Sequence, residues 1–283
     1  MCAEVESDGV SVTNRLRLDL AYDGTDFSGW ASQTDRRTVQ GTLESALDQV
    51  IAPNAMGKHF AVTCAGRTDA GVHATQQSVH FDISATEYES LVRHTTLTPE
   101  QALLRRLRGV LPADVNVYSA TLAPNDFHAR FSALSRTYTY KLIDDQHFMH
   151  PIFRRDTFFT RNKLDLRAIQ QATKPLLGEH DFSAFARVRK DQSPIRTLHK
   201  FDWVKKPLDL PAFTAEKPYF IEVTIQANAF LHNMVRSLIS ASLFVGEHRM
   251  PAEWLYSKLQ SREREGKTGP VDACGLTLSA VEY

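Results

Sequence analysis

The sequence predicts an α+β protein built on largely antiparallel sheets. Segments with an apolar residue at every second position alternate irregularly with segments whose apolar residues recur at three- and four-residue intervals. They do not follow the strict strand-helix-strand order of a parallel sheet. With 283 residues, 42% of them hydrophobic, the chain can build one large or two medium units, each with a real core. Two is the expectation, and the turn cluster Ala123-Pro124-Asn125-Asp126 marks the division, giving units at 14–124 and 125–283.

Within the first unit, Arg15 to Tyr22 alternates Leu16, Leu18 and Leu20 with Arg15, Arg17 and Asp19, the pattern of a strand with one buried face. Val39, Leu43, Ala46, Leu47, Val50 and Ile51 then fall on one helical stripe. Phe60 to Ala65 and Gln77 to Ile83 read as two strands, and the small-residue turn Gly66 to Gly71 lies between them. Thr98-Pro99-Glu100-Gln101 opens a second helix, with an N-cap, a first-turn proline and a capping-box glutamine; Leu103, Leu104 and Leu107 supply its buried face. Val115 to Leu122 completes the unit as a strand. In the second unit, Ser135 to Ile143, Phe201 to Val204 and Phe220 to Ile225 are expected as strands, Leu164 to Leu177 and Leu231 to Phe244 as helices, and Leu276 to Tyr283 as a closing strand.

Lys plus Arg and Asp plus Glu number 33 each, so no global field draws in a polyanion. That does not exclude nucleic acid, because counterion release depends only on the cations lining one groove. Cys2, Cys64 and Cys274 form no CxxC pair, which argues against a disulfide framework or a thiolate zinc site and fits a reducing, cytoplasmic setting. No stretch approaches the ~18 apolar residues of a membrane span, and Met1 to Asp8 lacks a signal peptide's apolar core. GxGxxG and HExxH are absent, and Gly266-Lys267-Thr268 lacks the earlier glycine of a phosphate-binding loop, so nicotinamide and nucleoside triphosphate chemistry lose support. His73, His80 and Cys64 do not make a metal site on this reading, because the alternation around Val79 and Phe81 turns His80 to the other strand face.

The informative segment is Cys64-Ala65-Gly66-Arg67-Thr68-Asp69-Ala70-Gly71-Val72-His73-Ala74, a carboxylate on a glycine-bounded turn between two strands. Gly66 and Gly71 permit backbone geometry and close approach that suit a carboxylate meeting a bulky ligand. Turn chemistry alone favours a plainer reading, an Asp that hydrogen-bonds its own turn.

Gly66 to His73 resembles the catalytic signature of the TruA family of transfer RNA pseudouridine synthases. The resemblance extends in order through Tyr22 to Trp30, Arg37 to Gly41, Phe127 to Ala133, Arg136 to Tyr140, Gly178 to Phe182, Asn228 to Arg236 and Ala273 to Leu276, and so covers nearly the whole chain. It implies an isomerase that detaches uracil from C1′ and rejoins it through C5, a redox-neutral step that needs no cofactor. It further implies two ferredoxin-like (RRM-like) subdomains with joined sheets flanking an RNA-binding cleft, a homodimer, and uridines 38, 39 and 40 of the tRNA anticodon stem-loop as targets.

By motif position, Asp69 is then the catalytic carboxylate. A bound base would exclude water from it, and Arg236 matches the family position whose guanidinium offsets that cost. Tyr138 matches the active-site tyrosine, expected to stack on the extruded uracil and to help remove the C5 proton; Tyr140, two residues on, is expected in the core. Arg67 is a candidate either for the space the target base vacates or for capping the turn. Arg130, Arg136, Arg154, Arg155, Arg187, Arg189, Lys190 and Arg196, interleaved with Phe131, Phe153 and Phe185, are candidates for the RNA-facing surface. Two positions depart from the family pattern, Ala31 after Gly29-Trp30 and Arg108 before Gly109. Two rival readings remain at this point, an RNA-binding protein of this fold without activity and a pseudouridine synthase with another RNA target.

Overall fold

In the structure, a computed structural model, the described residues are 13–283 without 54–56, 94, 190–191, 211–216 and 265–268. Cys2, Lys190 and Gly266-Lys267-Thr268 lie outside them. The alternation at the start of the chain becomes strand β1 (Thr13–Tyr22), with Leu16, Leu18 and Leu20 fully buried. Helix α1 (Val39–Ile51) begins where the Thr38 side chain accepts from the Gly41 N–H, and buries Val39, Leu43, Ala46, Leu47, Val50 and Ile51.

The strand expected from Phe60 to Ala65 shrinks to β2 (Thr63–Cys64). Phe60 and Val62 are buried, so their alternation is real. Their N–H groups, however, are accepted by Asp48 and Glu44 of α1 at 2.8 and 2.9 Å, which removes the need for a ladder. Strand β3 (His73–Ser84) runs directly into α2 (Ala85–Ser90), whose capping box pairs Ser84 with Glu87. The expected capping box of Thr98 and Gln101 starts α3 (Pro99–Val110), and β4 (Val115–Ala123) follows.

The second half opens with β5 (Ser135–Ile143) and the short β6 (Phe158–Phe159). The helix predicted over Leu164 to Leu177 is α4 (Leu166–Thr173), capped by Asp165, and a 3-10 turn from Lys174 takes over where Pro175 cannot donate to the α-helical ladder. Strands β7 (Gly178–Asp181), β8 (Ile195–Pro207) and β9 (Tyr219–Ala227) precede α5 (Met234–Gly246), α6 (Ala252–Ser261) and β10 (Leu276–Glu282).

The strands form one sheet in the order β4-β1-β3-β10-β5-β9-β8-β7, with β2 paired to β3 and β6 to β5. Its pairs are antiparallel except β3–β10 and β5–β6, in keeping with the predicted α+β class. The last strand stands mid-sheet. Thr277 and Leu278 pair with His73 and Ala74, while Leu276 to Glu282 pairs with β5, so the C-terminus joins the two halves. The same edge of β3 holds β10 at residues 73–74 and β2 at residues 79–80, and the 65–72 turn fills the gap between these partners. A continuous cluster of buried apolar side chains spans both halves.

Candidate active site

The turn that carries Asp69 is fixed from several sides. Gln77 of β3 donates to the Gly66 carbonyl at 2.6 Å and accepts from its N–H at 3.3 Å. Tyr22 of β1 bonds the Thr68 hydroxyl at 2.8 Å, and the Trp30 N–H donates to the Thr68 carbonyl at 3.0 Å. The Tyr22-to-Trp30 segment therefore serves as a cradle for the turn. Gly24 shows how close that fit is, because a Cβ there would stand 2.0 Å from the Val72 carbonyl oxygen. His73 closes the far end. Its Nδ1 accepts from the Gly24 N–H at 3.0 Å, which leaves Nε2 to donate toward the carbonyls of Arg155 (2.8 Å) and Cys274 (3.0 Å).

Asp69 is held by its backbone and left partly open at its side chain. Its carbonyl accepts from the Val72 N–H. Among the described residues neither carboxylate oxygen accepts from the turn, contrary to the plainer reading of this Asp. Instead Oδ2 faces Arg236 Nη1 at 3.6 Å and Oδ1 faces His232 Nε2 at 3.4 Å. Arg236, in the first turn of α5, is aimed by Nε–H donation to the Val271 carbonyl at 2.8 Å. It is only 17% exposed, so it is not the plain surface arginine of a helix. His232 precedes Asn233, whose left-handed φ of 63° breaks the chain into α5 and turns both side chains toward the carboxylate.

Tyr138 lies close to the Asp69 turn. It is 8% exposed, packs edge-on against Phe230 at 5.3 Å, and its hydroxyl would be 3.7 Å from a Cβ at Gly66. Burial, reinforced by the negative charge of Asp69, raises the phenol well above its ordinary range, so it stays protonated at neutral pH. Tyr140 is fully buried and donates to the Asp272 carbonyl at 3.0 Å, as expected of a core residue. Cys64, at the base of the turn, is pushed up to about 12 by burial and carries no thiolate to compete with Asp69.

The candidate cations divide into two groups. Arg67 and Arg130 are exposed, and both are near enough to Cys64 to favour its charged form. Neither pairs with Asp69 among the described residues. Arg154, Arg187 and Arg189 are also exposed; Arg155 reaches Asp23 and Asp26 at 3.4 and 3.3 Å. Arg136 does not belong on an RNA-facing surface. It is buried, and its donors go to the carbonyls of Ala133, Asn228, Ala65 and Arg130, so it ties three segments together. Phe185, 1% exposed, is core. Arg196 is half-buried and spends its Nη1 donors on the Ser193 and Ile195 carbonyls. His232 was not singled out from the sequence; its four-residue spacing from Arg236 was the available signal. No group of three or more His, Cys, Asp or Glu among the described residues is arranged to hold a metal ion.

A carboxylate set between a guanidinium and an imidazole, near a buried neutral phenol and beside exposed arginines, is the arrangement that nucleophilic or proton-transfer chemistry by side chains requires. A family model described as tRNA pseudouridine synthase matches residues 20–132 and 172–283. The chain is 44% identical to tRNA pseudouridine synthase A of Streptomyces griseus over 269 residues, which cover 95% of this chain and 88% of that protein. It is 39% identical to the protein of that name from Bifidobacterium longum over 282 residues, 95% and 93% of the two chains, and 43% identical to that of Cutibacterium acnes over 269 residues, 95% and 88%. The chain belongs to the tRNA pseudouridine synthase family.

Proposed function

We propose that the chain isomerises uridine to pseudouridine in transfer RNA, with Asp69 as the carboxylate that acts on the target nucleotide. The observation that carries this reading is the carboxylate itself, locked on its turn, faced by the Arg236 guanidinium and the His232 imidazole, and close to Tyr138. The reaction breaks the C1′–N1 bond and forms C1′–C5, while C5 loses a proton and N1 gains one. Electrons balance without an external donor. Asp69 serves as nucleophile or base, and the Arg236 guanidinium offsets its negative charge when a bound base displaces water. A protonated Tyr138 presents its ring to the uracil and its hydroxyl to proton transfer at C5.

The finer reading follows the family resemblance. Residues 14–124 and 125–283 act as two ferredoxin-like subdomains whose joined sheet flanks the RNA cleft, and the target uridines are nucleotides 38, 39 and 40 of the anticodon stem-loop. The enzyme works as a homodimer in the cytoplasm, one subunit holding the body of the transfer RNA while the other presents Asp69. No helix among the described residues is long and apolar enough to cross a membrane. Arg67 and Arg130 line the cleft beside the turn, where Arg67 fills the space vacated by the target base.

The test is release of tritium from transfer RNA labelled at uracil C5. Purified protein should release the label to water, and Asp69→Asn should bind the RNA yet release none. Binding without release by the unaltered protein would leave an RNA-binding protein and remove the catalytic assignment.

A further inference from the structure

We propose that Phe131 is a stacking platform for an unpaired base of the RNA substrate, the open end of an aromatic ladder tied to the catalytic turn. The inference rests on the functional reading above and states how the enzyme grips the strand beside its target.

The ladder starts at Tyr283, whose ring lies 5.0 Å from that of Phe127. Phe127 meets His80 at 6.1 Å, His80 meets His128 at 4.9 Å, and His128 stacks on Phe131 at 4.4 Å with 30° between the planes. Arg17 lies over the inner end, 4.4 Å from the Tyr283 ring. The inner rings are buried or half-buried, whereas Phe131 is 77% exposed. His128 stacks on the ring at one side, and most of the Phe131 surface stays open to solvent.

The loop holds this ring out rigidly. The His128 N–H donates to Ser132 Oγ at 2.9 Å, the Ser132 N–H returns to the His128 carbonyl at 2.8 Å, and His128 Nδ1 accepts from the N–H groups of Arg130 and Phe131 at 3.2 Å each. Ala129 is pinned between His80 Nδ1, which accepts from its N–H at 3.1 Å, and the Tyr283 hydroxyl, which donates to its carbonyl at 2.9 Å. An apolar ring fixed in water forgoes the gain of burial until a flat partner covers it. The Arg130 guanidinium, 5.6 Å from the same ring centroid, sets a cation at the platform. A π face with an adjacent guanidinium matches a nucleotide, base on ring and phosphate on cation.

A second protein surface would also cover an exposed phenylalanine. The connection to the site favours RNA. The buried Arg136 guanidinium donates to the Arg130 and Ala133 carbonyls of the platform loop, to Ala65 at the foot of the catalytic turn (3.0 Å), and to Asn228 (2.8 Å) on the segment leading to His232 and Arg236. Platform and carboxylate are thereby held in one frame. A nucleotide drawn toward Asp69 leaves a neighbour without its stacking partner, and the open face of Phe131 replaces it.

The test compares Phe131→Ala, Phe131→Leu and Phe131→Trp in the full chain by fluorescence anisotropy with labelled transfer RNA, by the substrate dependence of tritium release, and by sedimentation. Phe131→Ala and Phe131→Leu should weaken binding and raise KM by roughly tenfold or more, the scale of one lost base–aromatic stack. Phe131→Trp should restore both, with sedimentation unchanged throughout. Wild-type affinity in Phe131→Ala, or equal affinity of the Leu and Trp variants, would overturn the platform. A changed sedimentation coefficient in Phe131→Ala would assign the ring to a protein interface instead. An unaltered chain that binds no transfer RNA would remove the functional reading and this inference with it, whereas a platform failure in an active enzyme leaves that reading standing.

Discussion

At Asp69 the two carboxylate oxygens face separate side chains, the Arg236 guanidinium and the His232 imidazole, and of the two only Arg236 is shielded from solvent. The shielded charge matters more, because a guanidinium in a low-dielectric site keeps its full effect when substrate displaces water. Arg236→Ala should therefore cut turnover by about a hundredfold, the scale of one lost electrostatic donor, with folding retained. An unchanged kcat would assign support of the carboxylate to something else, with His232 next in line. Tyr138→Phe keeps the ring and its contact with Phe230 but removes the hydroxyl. It should slow tritium release by about a hundredfold, at the low end of general acid–base effects, and leave RNA affinity near wild type; wild-type rates would remove the phenol from proton transfer. Of these residues, motif resemblance marked Asp69, Arg236 and Tyr138. It covered His232 without giving it a role, and the contact of that side chain depends on a left-handed Asn233. Arg136 was misread because a sequence does not distinguish a solvated guanidinium from one whose donors are consumed by four carbonyls.

Elements with strong local signals were legible: the leucine alternation of β1, the apolar stripe of α1 and the capping box of α3 all form where they were expected. Strand β2 was overread, because alternation reports which side chains are buried and not where the N–H groups go. Helix α2 escaped despite its Ser84–Glu87 capping box, since no residue in it is buried and hence no apolar period follows the cap. The Asp69 turn owes its shape to the neighbouring Gly24 segment, which no local signal shows. Gly24→Ala would drive a methyl into the Val72 carbonyl oxygen, and neither backbone is free to yield. It should destabilise the protein by about 1–3 kcal/mol in urea denaturation and reduce kcat by about a hundredfold, because a displacement of ~1 Å at a reacting group has that effect. Gly109→Ala is the contrasting case: a Cβ there meets nothing within 4 Å, and the site is helical. It should gain up to about 1 kcal/mol with activity intact. Equal kcat in the two variants would show that the cradle does not position the turn.

For the whole molecule, the question is whether the sheet unfolds as one body. The direct ladder between the halves is narrow, since β10 meets β3 only at Thr277–His73 and Leu278–Ala74. Further links cross the same line, among them Arg136 to the Ala65 carbonyl, His73 to the carbonyls of Arg155 and Cys274, and the apolar cluster that runs through both halves. Ladder, polar links and core converge around the Asp69 turn, so opening either half removes partners from the other. That argues for a single cooperative transition. Leu278, fully buried between Ala74 and Tyr138 in register, is the residue through which to test it. Leu278→Ala should cost about 2–5 kcal/mol, and native-state hydrogen exchange should show protection falling together in β1 and β3 on one side and in β8 and β9 on the other. Loss confined to β5, β8 and β9 would mean that the halves open independently. The carboxylate on one half and its arginine on the other would then be aligned only when RNA holds the two together, and activity, not stability, would carry the cost of every mutation at the seam.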